Sequence, residues 1–212
     1  MDLHKLFPIL IFLVVPASQV SAQSFTGKWL LQNQREMAAG FDFRPDSTFQ
    51  FFYSYGASDR FATGTWKTRG DTLVLKSRKE AGKDFILTHQ SKKGTTYILQ
   101  IRDKNPLLIE GIRCFAFSEG KREIFQSDAK GEISIPWSRC DTLYLQHPFF
   151  PDIASLVKDK NNPNRTFECT LSPQLAEVSF KGILFWKEND GALHCHPNYF
   201  MPMENIRFEK RE

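Results

Sequence analysis

Met37-Ala38-Ala39-Gly40-Phe41-Asp42-Phe43-Arg44-Pro45-Asp46-Ser47-Thr48-Phe49-Gln50-Phe51-Phe52-Tyr53-Ser54-Tyr55 carries the reading of the fold. Met37, Ala39, Phe41 and Phe43 alternate with polar or small neighbours, and Phe49, Phe51, Tyr53 and Tyr55 resume the same alternation after a turn at Pro45-Asp46-Ser47. A period of two puts alternate side chains on one face of an extended chain, so the stretch predicts a β-hairpin with one buried face.

The same period extends in both directions. Runs at Arg60 to Lys67, Thr72 to Lys76, Phe85 to His89, Thr96 to Arg102 and Leu107 to Ile109 are rich in aromatic and β-branched residues, which suit a pleated, half-buried surface. Short connections such as Arg69-Gly70-Asp71 and Lys92-Lys93-Gly94 predict an antiparallel meander, because parallel neighbours need longer crossovers. Beyond residue 110, strands are expected at Ile112 to Phe117, Glu123 to Gln126, Glu132 to Pro136, Thr142 to Gln146, Arg165 to Leu171, Ala176 to Phe180, Gly182 to Lys187, Ala192 to His196 and Ile206 to Lys210. One short helix is expected from Pro151 to Val157, with Asp152 as its cap.

Ahead of the first strand, His4 and Lys5 precede an apolar run from Leu6 to Val15, and Val20-Ser21-Ala22 supplies small residues for cleavage. Residues 1–22 therefore read as a signal peptide, with Gln23 first in the mature chain. The run is shorter than the roughly 20 residues that a spanning helix needs, and Pro16 ends it. The expected protein is exported, periplasmic or extracellular, and not membrane-spanning. Its formal net charge of +4 is dispersed, with Glu80 and Asp84 bordering the dense cluster Lys76-Ser77-Arg78-Lys79. That cluster reads as a solvated turn, and the pattern does not predict nucleic-acid binding, which concentrates basic residues in a stripe or patch.

Cys114, Cys140, Cys169 and Cys195 admit 3 connectivities as two disulfides. The 26-residue spacing from 114 to 140 recurs from 169 to 195, which suits two clips between neighbouring strands. The alternative is buried free thiols acting as small hydrophobes.

Gly27-Lys28-Trp29, Phe41-Asp42-Phe43, Asp46-Ser47-Thr48-Phe49, Gly64-Thr65-Trp66 and Gly70-Asp71-Thr72-Leu73 together resemble the lipocalin-like domains of exported bacterial proteins, over about residues 25–110. The resemblance implies an antiparallel barrel or half-barrel with an apolar interior. Phe125-Gln126-Ser127-Asp128-Ala129-Lys130-Gly131-Glu132-Ile133-Ser134-Ile135, followed by Asp141-Thr142-Leu143-Tyr144-Leu145, is similar to carboxypeptidase-regulatory-like domains, which implies a β-sandwich element over about 112–146. The expected organisation is all-β: a lipocalin-like barrel or half-barrel at 23–110, then a second, sandwich-like module at 111–212.

Chemistry is sparse along the chain. His194-Cys195-His196 puts two histidines on one face of a strand at a spacing that metal ligands use, but no third donor is adjacent, and an exposed polar pair is the alternative. The sequence carries no G-x-S-x-G elbow, no H-E-x-x-H pair and no phosphate-binding glycine loop, so neither an enzyme nor a cofactor is expected. Twenty phenylalanines and four tryptophans remain. Two functions follow: binding of a small apolar or amphipathic ligand in the barrel, lined by Trp29, Phe41, Phe43, Phe51 and Trp66, or a solidly packed module that meets another envelope protein.

Overall fold

A computed structural model of the protein describes residues 25–211; the expected signal peptide, 1–22, lies outside them. Five strands open the chain: β1 (Gly27–Leu31), β2 (Met37–Phe43), β3 (Thr48–Tyr55), β4 (Ser58–Arg69) and β5 (Thr72–Ser77). The hairpin expected from the period-two pattern is β2–β3, in which Phe41 faces Phe51 and Phe43 faces Phe49 across the ladder. Its turn is tied by the Asp46 carboxylate, which accepts the Thr48 backbone N–H at 2.9 Å and the Thr48 hydroxyl at 2.6 Å.

Five strands are too few to enclose a core, since about eight are needed for a barrel that side chains can fill. The missing three come from the far end of the chain: β14 (Leu184–Lys187), β15 (Leu193–Cys195) and β16 (Ile206–Arg211). β14 pairs with β5 and β16 with β1, closing an all-antiparallel barrel in the order β1-β16-β15-β14-β5-β4-β3-β2. The barrel is thus a meander interrupted after β5. The organisation expected from sequence, a barrel module ending at 110 and a second module running to 212, changes accordingly: the second module is an insertion, and the C-terminal strands belong to the barrel.

The insertion holds β6 (Phe85–Ser91), β7 (Tyr97–Arg102), β8 (Arg113–Ser118), β9 (Lys121–Gln126), β10 (Glu132–Ile135), β11 (Thr142–Gln146), β12 (Ser155–Lys158) and β13 (Thr166–Leu171). They form two four-stranded sheets, β10-β7-β13-β6 and β12-β11-β8-β9, with a shared apolar core that includes Leu99, Ile101, Ile133, Leu143 and Phe167. One pair departs from the antiparallel pattern. β13 runs parallel to β7, and the long stretch between them, itself folded into five strands, supplies the crossover that a parallel pair needs.

Three local expectations are corrected. Leu107 to Ile109 is not a strand: Pro106–Leu108 is a single 3-10 turn, started by Pro106 and by the Asn105 side chain, which accepts the Leu107 N–H. No helix forms over 151–157: β12 begins at Ser155 and takes Leu156 and Val157, and Asp152 Oδ2 accepts the Ser179 N–H and faces Lys79. Residues 176–180 make only a parallel bridge, Phe61 to Glu177, before Phe180 turns into the barrel.

All four cysteines are buried free thiols. Cys195 lies in the barrel core and Cys114, Cys140 and Cys169 in the sandwich core, so the clip expected between 169 and 195 has its ends in different modules. Burial pushes the Cys169 and Cys195 thiols up to about 12, which keeps them protonated and unreactive.

Candidate functional site

Aromatic side chains fill the barrel. Around Phe41 lie the rings of Phe51 at 4.7 Å, Phe43 at 5.0 Å, Phe208 at 5.1 Å, Phe185 at 5.2 Å and Phe180 at 5.5 Å, spacings at which aromatic pairs attract. Phe180 belongs to no strand. It enters on the segment returning from the insertion, and its ring packs edge-on against Phe49, Phe51 and Phe200. The two indoles are held by their N–H groups, Trp29 Nε1 donating to Phe25 O at 2.7 Å and Trp66 Nε1 to Thr48 O at 3.0 Å. Trp29, Phe41, Phe43, Phe51 and Trp66, the lining expected from sequence, are therefore gathered in one place but buried against each other and their neighbours.

Open space lies instead at one mouth of the barrel. There the β3–β4 hairpin projects Tyr53, Tyr55 and Ser58, the β15–β16 connection brings Phe200 and Met203, and the insertion lays Pro148 and Phe149 across them. The result is a cleft of about 680 Å³. Ser58 Oγ donates to Phe149 O at 3.0 Å, tying the insertion to the hairpin. Tyr55 and Phe149 are 49% and 59% exposed, so the rim presents aromatic surface to solvent. At the base, the Arg60 guanidinium carbon lies 5.8 Å from the centre of the Phe200 ring, a cation–π distance.

Behind the cleft is a buried group of charges that joins the two modules. Lys79 Nζ lies 2.6 Å from Asp84 Oδ1 and 3.1 Å from Asp152 Oδ2, and donates to Glu177 O at 2.7 Å. Arg60 donates to Pro151 O at 2.6 Å and to Glu177 O at 3.0 Å, with Asp152 Oδ2 at 4.0 Å. Asp152 also accepts the N–H groups of Ile153 and Ser179, at 2.7 and 3.0 Å, and the Ser179 hydroxyl at 3.2 Å. Two cations face two carboxylates, which is the condition under which ions persist away from water.

Burial pushes the Asp84 carboxyl up to about 6, so the loss of hydration outweighs the nearby ammonium, and burial lowers the Arg60 guanidinium from its ordinary value. The serines here hold structure. Ser155 Oγ accepts the N–H groups of Asp84 and Phe85, and Ser179 is bound to Asp152. The arrangement locks the insertion to the barrel and shapes the cleft beside it.

Sequence reasoning missed this group. Lys79 and Asp84 sit in what reads as a solvated turn, and Asp152 in what reads as a helix cap; all are buried. No local pattern marks them as buried, because Asp152, Glu177 and Arg60 join Lys79 and Asp84 only when distant segments pack together.

The two histidines on β15 and just after it share one face and both lie against Trp186, with ring centres at 6.4 Å for His194 and 4.7 Å for His196. Only His194 faces Glu188 and Asp190, with Nε2 3.8 Å from an oxygen of each. Cys195 points into the barrel between them. No helix among the described residues is long and apolar enough to cross a membrane. In comparisons with known proteins, no protein-family model, no curated protein and no solved structure matches this chain.

Proposed function

We propose that this is a non-catalytic exported protein of the bacterial envelope that holds a small apolar or amphipathic ligand in the cleft at the barrel mouth. Export rests on the signal-peptide pattern of residues 1–22, and kinship with lipocalin-like domains on the Gly27-Lys28-Trp29 and Gly64-Thr65-Trp66 motifs. The observation that carries the binding reading is the cleft itself: about 680 Å³, walled by Met37, Tyr53, Tyr55, Phe149, Phe200 and Met203. That volume falls within the roughly 300–1,000 Å³ of small-molecule sites, which are mostly apolar with a few polar groups.

The test is titration of the mature chain with a fluorescent fatty-acid analogue. Saturable binding of one probe is expected, weakened roughly tenfold in Phe149→Ala, since burying a phenylalanine contributes about 1.5–3 kcal/mol. Phe61→Ala, on the outer wall, leaves it unchanged. Absence of saturable binding, or equal loss in both variants, overturns the proposal.

A second reading has its own support. Phe52 and Phe61 are cross-strand partners on the outside of the barrel, 48% and 52% exposed, beside Leu30 and Gly40. Such a pair suits a protein-interaction surface. Under that reading Phe61→Ala, and not Phe149→Ala, abolishes co-purification with an envelope partner.

A further inference from the structure

We propose that Glu188, Asp190 and His194 form a binding site for a zinc-class divalent metal ion on the outer wall of the barrel, separate from the mouth cleft and independent of the function proposed for it. The tight turn joining β14 to β15 supplies both carboxylates, with Glu188 N–H donating to Ala192 O at 3.1 Å and Gly191 N–H to Glu188 O at 2.9 Å. His194 follows on β15, directly across the ladder from Trp186. One donor atom from each of the three residues lies within 4.8 Å of the others.

The imidazole is the informative member. Its Nε2 is buried, makes no hydrogen bond, and stands 3.8 Å from both Glu188 Oε2 and Asp190 Oδ1. That gap exceeds hydrogen-bond reach. It is close to the separation of about 3.4 Å that a tetrahedral ion imposes on donors each about 2.1 Å away; the two carboxylate oxygens lie within 4.8 Å of each other, and both carboxylates are exposed enough to swing inward. A cation between the three atoms would satisfy the orphaned nitrogen and take one lone pair from each carboxylate, that of Asp190 Oδ1 being the one the Ala192 N–H does not use.

The outer contacts hold the carboxylates in place. Trp186 Nε1 donates to Glu188 Oε1 at 3.1 Å, Arg207 Nε to Asp190 Oδ2 at 3.0 Å and the Ala192 N–H to Asp190 Oδ1 at 2.9 Å, which leaves Glu188 Oε2 and the second lone pair of Asp190 Oδ1 for an ion beside His194. Partners of this kind orient metal ligands. The imidazole favours zinc and similar transition ions over calcium or magnesium, which take oxygen donors. Three protein donors leave a fourth position for water or for a donor from another molecule. His196, the sequence neighbour that invites pairing with His194, takes no part.

Isothermal titration of the metal-free, untagged mature chain with zinc chloride tests the site. One equivalent is expected to bind, and cobalt(II) at the same site is expected to give visible absorption bands of a low-coordinate ion. His194→Ala and Glu188→Gln should each weaken zinc binding by about 10- to 100-fold or more, at least the loss seen on removing outer-shell partners, while His196→Ala leaves it unchanged. Glu188→Gln keeps an oxygen for Trp186, so it guards against misfolding, which far-ultraviolet circular dichroism of each variant reports. The proposal fails if no stoichiometric zinc binds, if His196→Ala is as damaging as His194→Ala, or if Glu188→Gln folds and binds like the unmodified chain.

Discussion

His147 Nδ1 accepts the backbone N–H of Phe149 at 3.2 Å, so a buried imidazole lone pair holds the residue that forms the rim of the mouth cleft. The same nitrogen faces the Phe150 N–H at 3.3 Å, while Nε2 lies 3.0 Å from Leu108 O. Only the neutral ring with its proton on Nε2 satisfies all three contacts. Burial lowers the His147 pKa to about 4.

The pH dependence of stability follows from two opposed groups. The His147 pKa falls from 6.5 to about 4 on folding, so its contribution is present above pH 6.5 and is lost as pH falls toward 4. Asp84 is raised from 3.8 to about 6, so its contribution is present below pH 3.8 and is lost as pH rises through 6. Each amounts to about 3 kcal/mol, at 1.36 kcal/mol per pH unit, and they nearly cancel in the window they share. Urea unfolding at pH 7 and pH 4.5 should therefore show His147→Gln gaining stability relative to the unmodified chain on acidification, and Asp84→Asn losing it. Parallel pH profiles for all three proteins would contradict both assignments.

Removing the cation that serves two carboxylates should be costly. Lys79→Met leaves Asp84 and Asp152 buried with only Arg60, and the expected loss is about 3–5 kcal/mol in urea unfolding. Lys121→Met, which breaks the exposed pair with Glu123, should cost under about 1 kcal/mol. Similar losses in the two variants would show that the buried group does not hold the modules together.

Phe180 is the test of a filled barrel. Phe180→Ala removes a ring packed against five other phenylalanines and should cost about 3–5 kcal/mol, read from the urea midpoint at constant slope. Trp66→Ala should destabilise in the same way, without acting on the ligand directly. A loss under about 1 kcal/mol at Phe180 would mean that the ring does not occupy the barrel.

The thiols give a chemical check. Native protein should resist alkylation at Cys114, Cys140, Cys169 and Cys195, and denaturation without reductant should expose all four to label, counted by mass. Any disulfide found would contradict the free thiols, and one joining 169 to 195 would also contradict the separation of the two cores.

Alternation at Phe41, Phe43, Phe49 and Phe51 was enough to place a hairpin and to choose its buried face, because a period of two is written into neighbouring residues. Turn chemistry at Asp46-Ser47-Thr48 and the all-β class were legible for the same reason: each depends on a few consecutive residues. What closes the barrel was not legible. β1 meets β16 and β5 meets β14 across the whole chain or the whole insertion, and strand ladders carry no address in their own sequence. The same holds for the sites. Lys79 finds Asp152, and Phe149 finds Ser58, only after the insertion folds back on the barrel mouth. Aromatic content foretold a ring-filled interior or a cavity without choosing between them; Phe180, arriving from outside the strands, packs among the barrel's rings, and a cleft lies at the mouth. Local periodicity determines which face of a strand is buried; which segments bury it is decided by long-range packing, where shape and charge are matched between residues far apart in the chain.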